Sequence, residues 1–326
     1  MTDVRPNPVV TIDDVRAAAE RIAGRVVRTP LLPFPAAERG RPLWLKPESL
    51  QPTGAFKLRG AFNAILQRLD EARSHGVVTH SSGNHARAVA WVARELGLRA
   101  VIVMPDAAPT VKVDAVRRLG AEIVIVAPAE RDTRAFELAA EHGYVMVPPY
   151  DDAAVLAGQG TAGLEIVADL TDIRAVLVPV SGGGLIGGVS TAVKALSPNT
   201  RVIGVEPELA GDAAESFRTG GLVSWTPEQT YRTIADGLRT TSLGEIPWRQ
   251  IREFVDDIVT VSEDEIRDGV RRLAADARLV VEPSGAAAFA AYVHHADHLG
   301  LDGNIVAVVS GGNVALEMLA SMIAPG

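Results

Sequence analysis

The apolar positions of this chain follow two periods, and the change from one to the other outlines its elements. Short continuous apolar runs fall at 77–79, 100–104, 123–126 and 144–147, separated by stretches of helical spacing at 86–96, 111–119 and 133–142. A second series follows, with apolar runs at 175–180, 202–205 and 305–309, each beside helical segments. Strands that are apolar throughout belong to parallel sheets covered on both faces, and the intervening helices supply the crossovers that such sheets need. Ahead of both series, Thr11-Ile12-Asp13-Asp14 opens a capped amphipathic helix, 26–32 reads as extended, and 42–46 as a short strand. No repeat period and no low-complexity linker divides the chain.

Composition narrows the class. A length of 326 residues suits one large or two intimate domains, and 47% hydrophobic with 22% charged residues is the balance of a globular chain with a sizeable core. The net charge of −8, with no basic run interleaved with aromatics, argues against nucleic acid or an anionic membrane as partner. No apolar run is long enough to span a bilayer. The stretch 1–10 carries Asp3, Pro6 and Pro8 and no apolar core, so it lacks the form of a signal peptide. The absence of cysteine removes disulfides, thiolate nucleophiles and cysteine metal ligands, and fits a reducing cytoplasm.

The candidate chemistry starts at Lys57. Pro52 and Gly54 make an abrupt turn, and good helix formers with an apolar repeat follow at 55–66, which sets Lys57 in the first turn of a helix. The positive end of a helix disfavours an ammonium, so the amine is more easily kept neutral, the form that Schiff-base chemistry needs. Position alone fits a solvated surface lysine better.

Three loops follow strands, where open α/β sheets bind ligands. Ser81-Ser82-Gly83-Asn84-His85 offers close backbone approach and helix N-terminal amides to a carboxylate, and is also an ordinary capped turn. In Ser181-Gly182-Gly183-Gly184-Leu185, consecutive glycines turn several N–H groups into one concavity, which suits a phosphate dianion. Gly182, Gly184 and Gly187, with Glu206 about 20 residues on, also satisfy the dinucleotide fingerprint, so a nicotinamide-dependent oxidoreductase is a second reading. Ser310-Gly311-Gly312-Asn313 is by itself a strand-to-helix turn. Glu206 and Asp212, with the Ala210 carbonyl between them, suit a hard cation such as Mg²⁺ or Ca²⁺, although acidic loops are usually only solvated. His294, His295 and His298 read as an exposed helix end, and Arg134 as a solvated helix position.

In this order the segments resemble the fold type II, or tryptophan synthase β, family of pyridoxal-phosphate enzymes, and within it the serine/threonine dehydratase and serine racemase branch. The resemblance runs from Arg28-Thr29-Pro30 to Asn313. Thr53-Gly54-Ala55-Phe56-Lys57-Leu58-Arg59-Gly60 is similar to its cofactor-lysine segment, with Ala55 where serine is usual. The glycine loop opens with Ser181 where the family usually has a fourth glycine. The resemblance implies an α/β fold of two open, mostly parallel twisted sheets flanked by helices. Residues 1–73 plus 153–326 would form a large domain with a small domain, 74–152, inserted.

The resemblance also implies pyridoxal 5′-phosphate on Lys57, with Phe56, Asn84, Gly182, Gly183, Gly184, Leu185, Glu282 and Ser310 around it. Asn84 would face the phenolic oxygen and Ser310 the pyridine nitrogen, and Asp236 matches a further acidic residue near the cofactor. Ser81, Asn84, His85 and Arg134 would bind the substrate. Ser82 corresponds to the acid/base of the racemases, where many threonine dehydratases have alanine. Glu206, the Ala210 carbonyl and Asp212 would hold Mg²⁺, Ca²⁺ or Mn²⁺. A neutral hydroxyl at Ser310 makes the cofactor a weaker electron sink, which favours β-elimination or reprotonation over transamination.

The expected activity is dehydration of L-threonine and L-serine to 2-oxobutanoate or pyruvate plus ammonia. Serine racemase and threo-3-hydroxyaspartate dehydratase are the alternatives within the family; outside it stand the nicotinamide oxidoreductase and a non-catalytic binder of a phosphate ligand. The family implies homodimers or tetramers. The sequence ends soon after its last helical pattern, so no C-terminal effector domain is expected.

Overall fold

The computed structural model describes residues 9–38, 40–108 and 110–324, so most of the stretch 1–10 weighed as a signal peptide lies outside it. Its strands are β1 (Leu32–Pro33), β2 (Leu43–Pro47), β3 (Val77–His80), β4 (Ala100–Pro105), β5 (Glu122–Val126), β6 (Val145–Met146), β7 (Ile173–Pro179), β8 (Arg201–Pro207), β9 (Asp257–Val261) and β10 (Asn304–Val309). They form two sheets. The larger has the order β1-β2-β10-β7-β8-β9 and is parallel except where β1 meets β2. The smaller, β5-β4-β3-β6, is parallel throughout. Among the described residues no helix is long and apolar enough to cross a membrane.

Continuous apolar strands are explained by two-sided burial. Leu45, Leu177, Val205 and Ala307 on one face of the larger sheet share a core with the helix Pro283–His295. Val176, Val178 and Val306 on the other face pack with the helix Gly184–Leu196. In the smaller sheet, Val77, Ile102 and Met104 join the helix Asn84–Leu96. The same core takes in Leu58, Phe62 and Ile65 of the helix Lys57–Gln67. That helix therefore spans the molecule: its apolar face belongs to the smaller sheet's core, while its N-terminus sits on the Ser310 loop.

Two local readings change. The extended segment 26–32 is strand only at β1, because the N–H and carbonyl of Val27 are taken by the Gln51 side chain at 3.0 and 2.8 Å and leave no ladder to form. The edge strand β9 has only two buried positions of five and no continuous apolar run, so it carries little signal in the sequence.

Each sheet reverses its direction of growth once. After β3, β4 and β5 add in sequence, β6 returns to the far side of β3; after β7, β8 and β9, β10 returns to the far side of β7. Such switch points open a crevice at the carboxyl ends of the strands. The Ser81, glycine and Ser310 loops all leave the sheets there.

Candidate active site

Lys57 is held by the loop that follows β10. Phe56 N–H donates to the Ser310 carbonyl at 3.1 Å and Gly312 N–H to the Gly54 carbonyl at 2.9 Å. Gly54 adopts φ +76°, which a side chain would strain. Lys57 Nζ donates to the carbonyl of Pro149 at 2.5 Å, and lies 5.1 Å from the centre of the Phe56 ring. Loss of hydration around the amine pushes its pKa down to about 7. Burial thus adds to the helix-terminus argument made from sequence.

Beneath Lys57 lies a buried ion network. The Arg59 guanidinium binds both oxygens of Glu48, at 2.7 and 2.8 Å, and both oxygens of Glu165, at 2.7 and 2.8 Å. Lys46 Nζ adds a contact of 2.5 Å to Glu165. Burial works against the Glu48 charge, yet Arg59 holds its carboxyl below the ordinary range. The network ties β2 and the helix Ala153–Asp169 to the first turn of the Lys57 helix.

The Ser81 loop leaves β3 with Gly83 N–H donating to Ser81 Oγ at 3.2 Å. Ser81, Ser82 and Asn84 are partly exposed along it. His85 is buried, with Nε2 2.8 Å from the Val147 carbonyl. Burial and the nearby Lys57 charge lower its pKa to about 3, so the ring is neutral and supports the chain leaving β6. Arg134 is not brought to these loops, since Glu137 and Glu141 on its own helix each hold it at 3.0 Å.

In the glycine loop, Gly183 has φ +89° and Gly184 opens its helix. A Cβ on Gly182 would lie 2.3 Å from Cγ of Tyr150, so the Tyr150 ring covers the loop and only glycine fits beneath it. Leu185 is buried behind the loop. The other two glycines of the dinucleotide-like spacing are also tightly packed, as a Cβ on Gly184 would lie 3.0 Å from Tyr150 Cβ and one on Gly187 3.1 Å from Leu156 Cδ2 of the adjacent helix. Glu206 accepts the Ala214 N–H at 2.8 Å. The dinucleotide-like spacing therefore has a packing origin.

Glu282 precedes the helix Pro283–His295 and accepts from Asn84 Nδ2 at 2.6 Å. Burial, and then the charge of Asp236, push its pKa up to about 7. A Cβ on Gly311 would lie 2.2 Å from Glu282 Oε1, so this turn also requires glycine. Ser310 is buried, its Oγ 3.5 Å from the Ser284 carbonyl, at the limit of a hydrogen bond. Asp236 is exposed and paired with Lys112. Asn313 Nδ2 donates to Asn84 Oδ1 at 2.7 Å and to the Thr53 carbonyl at 2.8 Å. Sequence reasoning passed over Asn313, Arg87, Pro149 and Tyr150. Only Asn313 had a signal, as the residue closing the Ser-Gly-Gly turn.

Glu206, Ala210 and Asp212 are buried together at the end of β8. Glu206 Oε1 and both Asp212 carboxylate oxygens lack hydrogen-bond donors. Burial pushes Asp212 up to about 7; burial and the Asp212 charge push Glu206 well above the carboxylate range. Carboxylates left without donors in the interior fit a hard cation. His294 and His295 instead pair with Asp268 and Glu265, at 3.1 and 3.0 Å.

An amine near neutrality beside an N–H-lined glycine concavity fits an aldehyde that carries a phosphate, which is what pyridoxal phosphate is. Known proteins agree with that fit. Residues 22–311 match the family described as "Pyridoxal-phosphate dependent enzyme". The chain is 41% identical to L-threo-3-hydroxyaspartate ammonia-lyase of Saccharomyces cerevisiae, over 97% of both sequences. It is 40% identical to L-threonine dehydratase catabolic TdcB of Escherichia coli K12, over 96% of both. The structure of maize serine racemase superposes with a TM-score of 0.89 at 38% identity, covering 96% of both chains. With the lysine, the glycine loop and the whole length of both sheets inside these matches, the chain belongs to the family of pyridoxal-phosphate-dependent enzymes.

Proposed function

We propose that this enzyme dehydrates L-threonine and L-serine, releasing 2-oxobutanoate or pyruvate and ammonia. The observation that carries the reading is Lys57, a buried amine held between the Ser310 loop of the larger sheet and the Pro149 carbonyl beyond β6 of the smaller one, where burial lowers its pKa. Pyridoxal phosphate, when bound, supplies the electron sink for charge developing at the substrate's α carbon. Lys57 holds it and, with burial favouring its neutral amine, is the base that takes the α proton. The N–H groups of Gly182, Gly183, Gly184 and Leu185 receive the phosphate. Phe56, Asn84, Glu282 and Ser310 border the ring. Ser310 brings a hydroxyl where a carboxylate would hold the ring protonated, which supports elimination over transamination.

Ser81 and the amides opening the helix Asn84–Leu96 take the substrate carboxylate, with His85 bracing them through Val147. Arg134 joins only if it leaves Glu137 and Glu141. Ser82 stands in the same partly exposed loop as a candidate acid/base, and it supports a second reading as a serine racemase. Hydroxyaspartate dehydration stays with the relative that bears that name, as a third substrate to test. Glu206, the Ala210 carbonyl and Asp212 hold Mg²⁺, or Ca²⁺ or Mn²⁺, a reading supported by their unpaired buried oxygens. We read 1–73 plus 153–326 as the larger domain and 74–152 as the smaller. The working form is a homodimer in the cytoplasm, in line with apolar Val280 and Leu316 left 53% and 73% exposed and with a chain free of cysteine.

The test is turnover of L-threonine, L-serine and threo-3-hydroxyaspartate by the holoenzyme, with keto acid and chirality followed together. Keto acid from threonine and serine in excess of D-serine is expected, with borohydride fixing the cofactor on Lys57. D-serine in excess would make racemisation the main activity. Turnover retained by Lys57→Ala would overturn the assignment.

A further inference from the structure

Beside the Lys57 turn, a hydrogen-bonded relay crosses from one sheet to the other. Arg87, one turn into the helix that follows β3, donates from Nη1 to Asn313 Oδ1 at 2.7 Å. Asn313 Nδ2 donates to Asn84 Oδ1 at 2.7 Å and to the Thr53 carbonyl at 2.8 Å. Asn84 Nδ2 then donates to Glu282 Oε1 at 2.6 Å. Every bond runs in one direction, and the Arg87 end explains why. A guanidinium only donates, whereas an amide turns either way and takes its orientation from the partner it meets. With Arg87 at its head, Asn313 must present its oxygen to Arg87 and both N–H groups to Asn84 and Thr53. Asn84 must in turn present its oxygen to Asn313 and its NH₂ to Glu282, which leaves one N–H to spare. Among the described residues Arg87 has no ion pair that would draw it elsewhere.

We propose that Arg87 is a positioning residue that acts through Asn313: its one-way bond fixes the amide orientation of Asn84, so that Asn84 offers the cofactor an N–H rather than a carbonyl oxygen. The proposal rests on the pyridoxal-phosphate reading, and it assigns a task to Arg87, which lies outside the motifs of the sequence, and to Asn313, which closes the Ser310 loop without a role of its own. An oxygen acceptor on the cofactor ring is bound by the first orientation and repelled by the second. Because Arg87 and Asn84 stand on the smaller sheet's helix while Asn313, Thr53 and Glu282 stand on the other side, the relay also clasps the two sheets across the site.

The experiment uses full-length holoenzyme and the variants Arg87→Met, Arg87→Lys and Asn313→Asp, reading the cofactor dissociation constant by equilibrium dialysis, the visible band and the melting temperature. Asn313→Asp is the decisive change. Aspartate still accepts from Arg87, so that link of the clasp is kept, yet it has no N–H for Asn84 or Thr53 and faces both of their oxygens, so a lower melting temperature accompanies the change. A dissociation constant raised about tenfold and a displaced band are expected for Asn313→Asp and Arg87→Met, the size of one lost buried hydrogen bond, with Arg87→Lys close to wild type. Wild-type affinity and band in Asn313→Asp would overturn the proposal. So would an Arg87→Met variant that melts lower with both cofactor readouts unchanged, because that is the signature of a merely structural arginine. Wild-type protein with no visible band would instead overturn the pyridoxal-phosphate reading, and the relay's role with it.

Discussion

Replacing Arg59 by methionine tests whether the buried ions under Lys57 hold its helix. The substitution roughly conserves volume and removes the partner of two carboxylates. Glu165 keeps Lys46 at 2.5 Å, so its loss is partial. Glu48 is 0% exposed and keeps only Thr29 Oγ1 at 2.7 Å and Gln51 Nε2 at 3.1 Å. Breaking one side of a buried pair costs about 3–5 kcal/mol, and the surviving partners put this case at about 3–4 kcal/mol. With about 2.1 cal/mol/K of unfolding entropy per residue over 326 residues, the melting temperature falls by roughly 4–6 °C.

The pH dependence gives a second handle on the same variant. In the native chain Arg59 holds the Glu48 pKa below its unfolded value, so its stabilisation is present above the ordinary carboxylate pKa and is lost as pH falls through the folded one. Without Arg59, burial alone raises the Glu48 pKa, and protonation relieves the variant in acid. The deficit measured by urea unfolding is therefore largest near pH 8 and narrows toward pH 5. Glu48→Gln added to Arg59→Met recovers part of the loss, because the uncompensated anion is gone. A deficit under about 1 kcal/mol, or one that does not change with pH, refutes the reasoning.

Two further predictions follow from the site's electrostatics. The rate at which apoprotein takes up pyridoxal phosphate covalently rises with pH and levels off above about 7, where Lys57 is neutral; a midpoint near the ordinary lysine value would contradict the burial argument. For Glu206 and Asp212 the folded pKa is raised, so their contribution to stability is greatest below the unfolded values and is lost as pH rises, for Asp212 through about 7. Thermal unfolding in EDTA should accordingly show stability declining from pH 5 to 8, and Mg²⁺ should abolish that decline in wild type but not in Asp212→Asn. An identical pH profile with and without Mg²⁺ would count against the metal site.

Much of the site was legible because its parts are local. A strand followed by Ser-Ser-Gly-Asn-His, by a glycine run or by Ser-Gly-Gly states its turn chemistry within a few residues, and Lys57 announces its helix through Pro52 and Gly54. The sheets were readable for the same reason, since two-sided burial leaves continuous apolar runs. The readings that needed change came from long-range partners: Gln51 capturing Val27 in place of a strand, or Leu156 and Tyr150 filling the space above glycines that otherwise look like a dinucleotide loop.

The sequence by itself determined the order of elements, the parallel sheets and the lysine, serine and glycine segments of a pyridoxal-phosphate enzyme, because periodicity and turn residues act over a few positions. Only the tertiary structure decided what those segments do to one another. The Lys57 amine has its pKa lowered by the walls that bury it, with Pro149 of a distant loop as its acceptor. Arg134 is drawn to Glu137 and Glu141, and Arg87, unremarkable in sequence, orients Asn84 through Asn313 across 226 positions of chain. Desolvation and hydrogen-bond direction depend on which groups meet, and that is set by the switch points of the two sheets.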